Sequence, residues 1–310
     1  MTRALVIGVN GFTGFHLVRR LVCEREVEVY GADIGANQRG GFLAAYFRVD
    51  VDDREQVDRA IREAAPDWVF SLAGVAQGNT DLIYRVNLIG SINLLESVKQ
   101  YAPDARVVMV GTAAEYGFVE ENELPIVEDT PCRPSGHYGI SKLAMTQAAL
   151  CYANQFGLNV SVARPFNIVG PGIPTSLVLG AVLERARRAL AEGGEVVTVG
   201  NVDTERDFIA VDDVVDAYVS MARSNCRGEV YNICSGEPRR IRDVIELALA
   251  RAPRRLRLKI DQALVRASDP RRLYGSYEKA ERSFGFRPRV RIDDSIAAAW
   301  DSYMRTALRK

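Results

Sequence analysis

Tyr138 and Lys142 stand four residues apart in the run Tyr138-Gly139-Ile140-Ser141-Lys142. On a helix that spacing puts both side chains on one face, one turn apart. An ammonium beside a phenol favours the phenolate and lowers the phenol's pKa from its ordinary value of about 10. A phenol tuned in this way gives a proton to a carbonyl oxygen or takes one from an alcohol. Such pairs are also common on plain helix surfaces, so the meaning of this one depends on what stands around it.

Several elements must bring partners to that pair. Arg3 to Gly8 is a short apolar run, followed by the turn Gly8-Val9-Asn10-Gly11-Phe12-Thr13-Gly14. Phe15 to Cys23 then repeat apolar residues at helical spacing, which predicts strand, glycine turn, helix. Glycines there let the backbone approach a pyrophosphate, and the helix start supplies free N–H groups. Val27 to Ala32 reads as a second strand ending at Asp33, 19 residues past Gly14. A carboxylate at that distance suits an adenosine ribose and repels a 2′-phosphate, so it favours NAD over NADP. Arg39 is close enough in sequence to soften that preference, and Asp33 also suits a turn before Gly35.

Ala44 to Val49 predicts a third strand, ending in Asp50-Val51-Asp52, with a helix from about Arg54 to Ala64. Trp68 to Leu72 is a fourth strand, opening into the small residues Ala73 and Gly74. One long helix is predicted over 81–101, carrying Asn87. Arg106 to Val110 is a fifth strand with Gly111-Thr112 at its end. The helix with Tyr138 and Lys142 runs from Gly136 to about Phe156, and Val160 to Ala163 is a sixth strand leading to Arg164-Pro165-Phe166-Asn167. Alternating strands and helices predict an α/β fold with a parallel, doubly wound (Rossmann) sheet. Ligands of such sheets sit at the strands' carboxyl ends, and the glycine turn, Asp33, Ala73, Thr112 and Asn167 all fall at that edge.

Past Asn167 the alternation breaks at Gly170-Pro171-Gly172. Helices follow near 176–191, 211–222 and 241–250, with short strands at 196–199 and 230–233. The expected plan is a dinucleotide-binding domain over 1–165, with returning segments near 207–234, and a smaller cap drawn mainly from 166–310.

Bulk properties exclude some functions. Lys+Arg and Asp+Glu are both 40, which leaves no net field for nucleic acid. The arginines between Arg251 and Lys259 read as a solvated basic face. No apolar run reaches membrane-spanning length and no leader pattern opens the chain, so a cytoplasmic protein is expected. The five cysteines form no C-x-x-C pair and read as reduced, buried thiols; Cys151 in particular is expected to be a small buried hydrophobe. Two histidines, His16 and His137, are too few for a zinc site or a histidine triad, so no metal is expected.

The chain resembles the extended short-chain dehydrogenases/reductases that act on nucleotide sugars, over nearly its whole length. GVNGFTG (8–14), SLAG (71–74), GTAAEYG (111–117), YGISK (138–142), RPFN (164–167), RDFIAVDDVVDAY (206–218) and YNICSG (231–236) carry the likeness. Within that family it is most similar to the branch that reduces GDP-4-keto-6-deoxyhexoses, and next to the GDP-mannose dehydratases.

The resemblance implies a role for each matching residue. Thr112 would hydrogen-bond the sugar C4 oxygen, Tyr138 would donate or accept its proton, and Lys142 would hold the nicotinamide ribose. Asn87 would support that lysine. The turn residues Gly8, Asn10, Gly11, Phe12, Thr13 and Gly14 would hold the pyrophosphate, Asp33 the ribose, Asp50 and Val51 the adenine. Leu72, Ala73 and Gly74 would line the nicotinamide. Asn167, Arg206 and Arg266 would face the sugar-nucleotide diphosphate, for which arginine's fixed fork is suited.

Three departures from the family pattern stand out. Ala113 and Ala114 replace the acid/base carboxylate of the 4,6-dehydratases, with Glu115 one step out of register. The segment between Ala73 and Asn87 is short. Asp33 points to NAD where many such reductases use NADPH. The expected function is hydride transfer at sugar C4, reducing a GDP-4-keto-6-deoxyhexose, in a homodimer built on the helices at 81–101 and 136–157. A 4-epimerase that retains its NAD is the alternative within enzymes. A non-catalytic NAD-sensing binding protein is the alternative outside them.

Overall fold

In a computed structural model of the chain, residues 1–38, 42–264 and 270–307 are described. The first half alternates β1 (Thr2–Ile7), α1 (Phe12–Leu21), β2 (Val27–Asp33), β3 (Ala45–Arg48), α2 (Arg54–Ala64) and β4 (Trp68–Ser71). It continues through α3 (Thr80–Tyr84), a π-helical turn (Arg85–Ile89), α4 (Gly90–Tyr101), β5 (Arg106–Val110), α5 (His137–Phe156) and β6 (Asn159–Pro165).

The second half holds β7 (Asn167–Val169), α6 (Val178–Ala191), β8 (Val196–Val199), β9 (Glu205–Ala210), α7 (Val211–Arg223) and β10 (Val230–Ile233). After it come β11 (Pro238–Arg240), α8 (Ile241–Leu249), β12 (Arg257–Ile260), β13 (Arg272–Leu273), α9 (Glu278–Phe284) and α10 (Ile292–Ala307).

Seven strands form one parallel sheet in the order β10-β6-β5-β4-β1-β2-β3. The strands are apolar because both faces are covered. Successive side chains of a strand point to opposite faces, and β1 shows the consequence. Ala4 and Val6 join one core with α1 and α7, whereas Leu5 and Ile7 join the other with α2, α4 and α5. The order reverses at β1, which pairs with β2 on one side and β4 on the other. Such a switch point leaves a crevice at the carboxyl ends, and the glycine turn opens into it.

Beyond β6 the chain leaves this sheet. β7 pairs with β9, which also carries β11 and β13, and β8 pairs with β12. α6, α8 and α10 gather over them around a third core containing Leu183, Val197, Phe208, Ile245, Ile296 and Trp300. β10 returns to the parallel sheet beside β6.

The long helix predicted over 81–101 is interrupted. Its middle turn is a π turn with Asn87 in it, fully buried. One inserted residue per turn rotates the helical face, and apolar spacing alone does not reveal it. Of the cysteines expected to be buried, Cys226 and Cys234 are; Cys132 is partly exposed, and Cys23 and Cys151 are exposed, Cys151 because its position on α5 faces away from the sheet; all five are free thiols.

Candidate active site

The glycine turn is built by close backbone approach. Gly8 has φ +87°, and a Cβ on it would lie 2.8 Å from the Ala73 amide nitrogen. A Cβ on Gly14 would lie 2.1 Å from the Gly8 carbonyl oxygen. The turn therefore packs α1 against the ends of β1 and β4 with no room for side chains. α1 starts at Gly11 with no side-chain cap and no acidic residue in its first turn. Its first N–H groups are thus left for an outside acceptor such as a pyrophosphate.

Asp33, at the tip of β2, accepts the Asn10 amide at 3.0 Å and the Gly35 amide at 3.1 Å. The Asp33 carboxylate thus joins the glycine turn to the turn at Gly35. Tyr46 joins it, meeting the Gly35 carbonyl oxygen at 2.5 Å and the Asn10 side-chain amide at 3.2 Å. Asp50 accepts the Asp52 amide in a local turn, and Val51 packs where α4 begins, its carbonyl accepting from Asn93 at 2.9 Å. Phe12 and Thr13 open α1, and Leu72, Ala73 and Gly74 follow β4.

Gly74 lies against the second half of the site. A Cβ there would be 3.0 Å from Lys142 Nζ and 3.2 Å from Asn87 Oδ1. Asn87 clamps the Val75 backbone through both its N–H and its carbonyl, each at 2.9 Å, and donates to Ser141 Oγ at 3.0 Å. Ser141 in turn donates to the Tyr138 carbonyl at 2.9 Å. The π turn thus ties the loop after β4 to the helix that carries Tyr138 and Lys142.

Tyr138 is half-buried and hydrogen-bonded with Thr112. Burial raises the phenol's pKa and the Thr112 hydrogen bond lowers it, with burial prevailing. The expected depression by Lys142 is not seen in this arrangement. The lysine donates to the Val110 carbonyl at 2.9 Å, and its own burial drives its pKa down to about 8, against the pull of Glu115. The close seat of α5 rests on Gly139, where a Cβ would lie 2.6 Å from the Ala114 carbonyl.

A pH dependence follows. The Lys142 ammonium prevails below its pKa of about 8 and is lost as the pH rises through it. Rates in terms of kcat/KM for the coenzyme report the free enzyme. They should be level below that pH and fall above it, approaching about tenfold per unit. A profile flat to about pH 9.5 would show that the Lys142 charge is not needed.

Asn167 and Arg206 line a cavity of about 420 Å³ together with Val182, Phe208 and Ile245. Asn167 donates to the Asp207 carbonyl at 2.7 Å, and Arg206 donates to the carbonyls of Glu205 and Pro270. The Asp207 carboxylate anchors this strand to the turn after β10 through Ser235 and Gly236, and burial pushes its pKa up to about 6. Arg39 and Arg266 lie outside the described residues.

Spacing alone leaves Glu115 one step out of the dehydratase register. It is fully buried in an ion pair with Arg164 at 2.7 Å, directly behind Thr112. A visible signal existed, since Thr112-x-x-Glu115 has capping-box spacing, and both bonds of that box are formed. His137 opens α5, exposed, with Nδ1 3.3 Å from the Tyr84 hydroxyl, in keeping with a plain helix-start residue.

A family model described as "NAD dependent epimerase/dehydratase family" matches residues 4–234. GDP-6-deoxy-D-mannose reductase of Pseudomonas aeruginosa is 32% identical over 98% of this chain and 98% of its own. The structure of RMD from Pseudomonas aeruginosa complexed with NADPH superposes with a TM-score of 0.85 at 29% identity, covering 98% and 100% of the two chains. UDP-glucose 4-epimerase of Thermus thermophilus in complex with NAD gives a TM-score of 0.83 at 31% identity, covering 97% and 99%.

Proposed function

The chain belongs to the NAD dependent epimerase/dehydratase family, and from that premise we propose that it reduces the C4 carbonyl of a nucleotide-linked 4-ketosugar, with a GDP-4-keto-6-deoxyhexose as substrate. The observation that carries the reading is Tyr138 paired with Thr112 at the end of β5, with Lys142 of the same helix packed against Gly74 at the end of β4. The similarity to a GDP-6-deoxy-D-mannose reductase supports the choice of substrate.

The residues divide the work. The reduced nicotinamide, when bound, supplies the hydride. Gly8 to Gly14 and the start of α1 hold the pyrophosphate, Asp33 the adenosine ribose, and Lys142 the nicotinamide ribose. Tyr138 gives its proton to the C4 oxygen as Thr112 hydrogen-bonds it. Negative charge grows on that oxygen in the transition state, so two fixed donors there lower the barrier more than they tighten ground-state binding. Asn167 and Arg206 face the nucleotide diphosphate from the cavity, and its apolar wall suits a base. Arg266 is assigned the same task from the family pattern alone.

Dehydration across C5 and C6 is disfavoured. Ala113 and Ala114 carry no proton, and both carboxylate oxygens of Glu115 are engaged, by Thr112 on one side and by Thr146 and Arg164 on the other. The likeness to an NAD-bound 4-epimerase favours one second reading, oxidation and re-reduction at the same carbon. It is tested by coenzyme retention: an epimerase keeps its NAD through purification, a reductase exchanges it each turnover.

We assign the homodimer contact to the helical stretch from α3 through the π turn to α4, and to α5. Leu82, Ile89, Ile140 and Phe156 are 40–50% exposed there, and two-fold pairing is the commonest assembly. Leu82→Glu/Phe156→Glu should convert a dimer to a monomer in light scattering. A wild-type protein that is already monomeric would refute the assignment. No helix among the described residues is long and apolar enough to cross a membrane, and five free thiols suit a reducing cytoplasm.

A further inference from the structure

The Glu115 carboxylate joins three parts of the fold. Oε1 accepts the Thr112 amide at 2.9 Å, on the turn after β5. Oε2 accepts from Thr146 of α5 at 2.8 Å and from Arg164 of β6 at 2.7 Å. Arg164 is itself 3% exposed, with its guanidinium 4.8 Å from the centre of the Tyr116 ring. Tyr116 continues the chain of contacts to Asn232 at 2.7 Å. Gly111 has no side chain because a Cβ there would sit 2.2 Å from Oε1.

A buried ion pair is a poor stability device, since apolar residues of similar volume often serve as well or better. What this one supplies is geometry at Thr112. With its amide on Glu115 and its Oγ1 accepting the Ala114 N–H at 3.2 Å, residue 112 is held at both ends. Its hydroxyl is then left for Tyr138.

We propose that Glu115, braced by Arg164 and Thr146, is a positioning residue that holds the Thr112 amide and so aims the Thr112 hydroxyl at Tyr138 and the reacting oxygen. The rate readout rests on the ketoreductase reading; the spectroscopic one does not. The charged and titratable groups facing the pair are Lys142 and Tyr138 on α5, with Tyr116 and Cys132 on the loop after β5.

Two double variants isolate the effect, Glu115→Gln/Arg164→Met and Glu115→Leu/Arg164→Met. Both remove the same two charges, so neither strands an ion and the charges around Tyr138 are equal. Glutamine keeps an oxygen for the Thr112 amide; leucine does not. The glutamine variant should keep kcat within about tenfold of wild type. The leucine variant should lose a further factor of about 30–100 with KM for the sugar nucleotide unchanged, as for a displaced transition-state donor. A merely structural role would give equal kcat per folded molecule.

The second readout is titration of the Tyr138 ¹³Cζ resonance in tyrosine-labelled protein, assigned with Tyr138→Phe. Loss of the Thr112 hydrogen bond should raise the titration by about half a unit or more in the leucine variant relative to the glutamine variant. Thr146→Val removes one brace and no charge. It serves if the leucine variant does not fold, with an expected loss of about three- to fivefold in kcat and a rise in the Tyr138 titration. Equal kcat, or equal Tyr138 titration, in the folded pair overturns the proposal. Wild-type protein that oxidises no reduced nicotinamide with any 4-ketosugar nucleotide overturns the reductase reading instead, and the titration then decides on Glu115.

Discussion

Tyr138→Phe should lower kcat at least about a hundredfold while leaving NADH binding within about threefold. A hundredfold is about 2.7 kcal/mol of barrier, the lower end of what a general acid supplies. The ring stays, so the packing of α5 against the turn after β5 is kept, and the fold should change in stability by no more than about 1 kcal/mol. Thr112 keeps its anchors on Glu115 and Ala114, and Lys142 keeps its bond to Val110. Coenzyme binding is therefore spared, and only the proton is missing. Titrating NADH by fluorescence and then measuring turnover separates the two. Near-wild-type turnover would remove Tyr138 from the chemistry.

Gly14→Ala should abolish coenzyme binding by at least about a hundredfold, roughly 2.7 kcal/mol, and destabilise the protein by about 1–3 kcal/mol. Its Cβ would stand 2.1 Å from the Gly8 carbonyl and 3.0 Å from Val9 Cα. Both neighbours are backbone, so nothing yields without opening the turn. Gly8 cannot move aside, because it is itself pressed against the Ala73 amide. Gly11→Ala is the control. Its Cβ would meet only the Gly8 oxygen, at 3.2 Å, so its melting temperature should stay near wild type and any loss should fall on binding. Thermal melts with and without NADH check both variants. A Gly14→Ala protein that melts and binds like wild type would contradict the turn geometry.

The parallel sheet and its ligand-bearing edge were legible because their causes are local. Strands such as β5 are apolar from Val107 to Val110, as burial on both faces requires, and glycines mark the places where backbone meets backbone. Tyr138 and Lys142 were legible from helical spacing. The surroundings were less so. The π turn at Asn87 inserts one residue into a regular pattern, which periodicity averages away. Arg164 finds its carboxylate 49 positions earlier in the chain, across a contact that only the fold creates. The capping-box spacing of Thr112 and Glu115 was visible, but it did not say that the carboxylate is buried. The exposure of Cys151 was missed because a residue type's usual burial says nothing about which face of a helix it occupies. The lowered Tyr138 pKa was expected from sequence spacing alone, whereas desolvation of the phenol and of Lys142 itself outweighs it.

Loss of reduced-nicotinamide absorbance on mixing the protein with GDP-4-keto-6-deoxy-mannose, with NADH and NADPH in separate runs, tests the central claim most directly. The account predicts stoichiometric oxidation, faster with NADH because the Asp33 carboxylate repels a 2′-phosphate. No oxidation with either coenzyme, together with NAD that stays bound through purification, would contradict it and make the protein an epimerase.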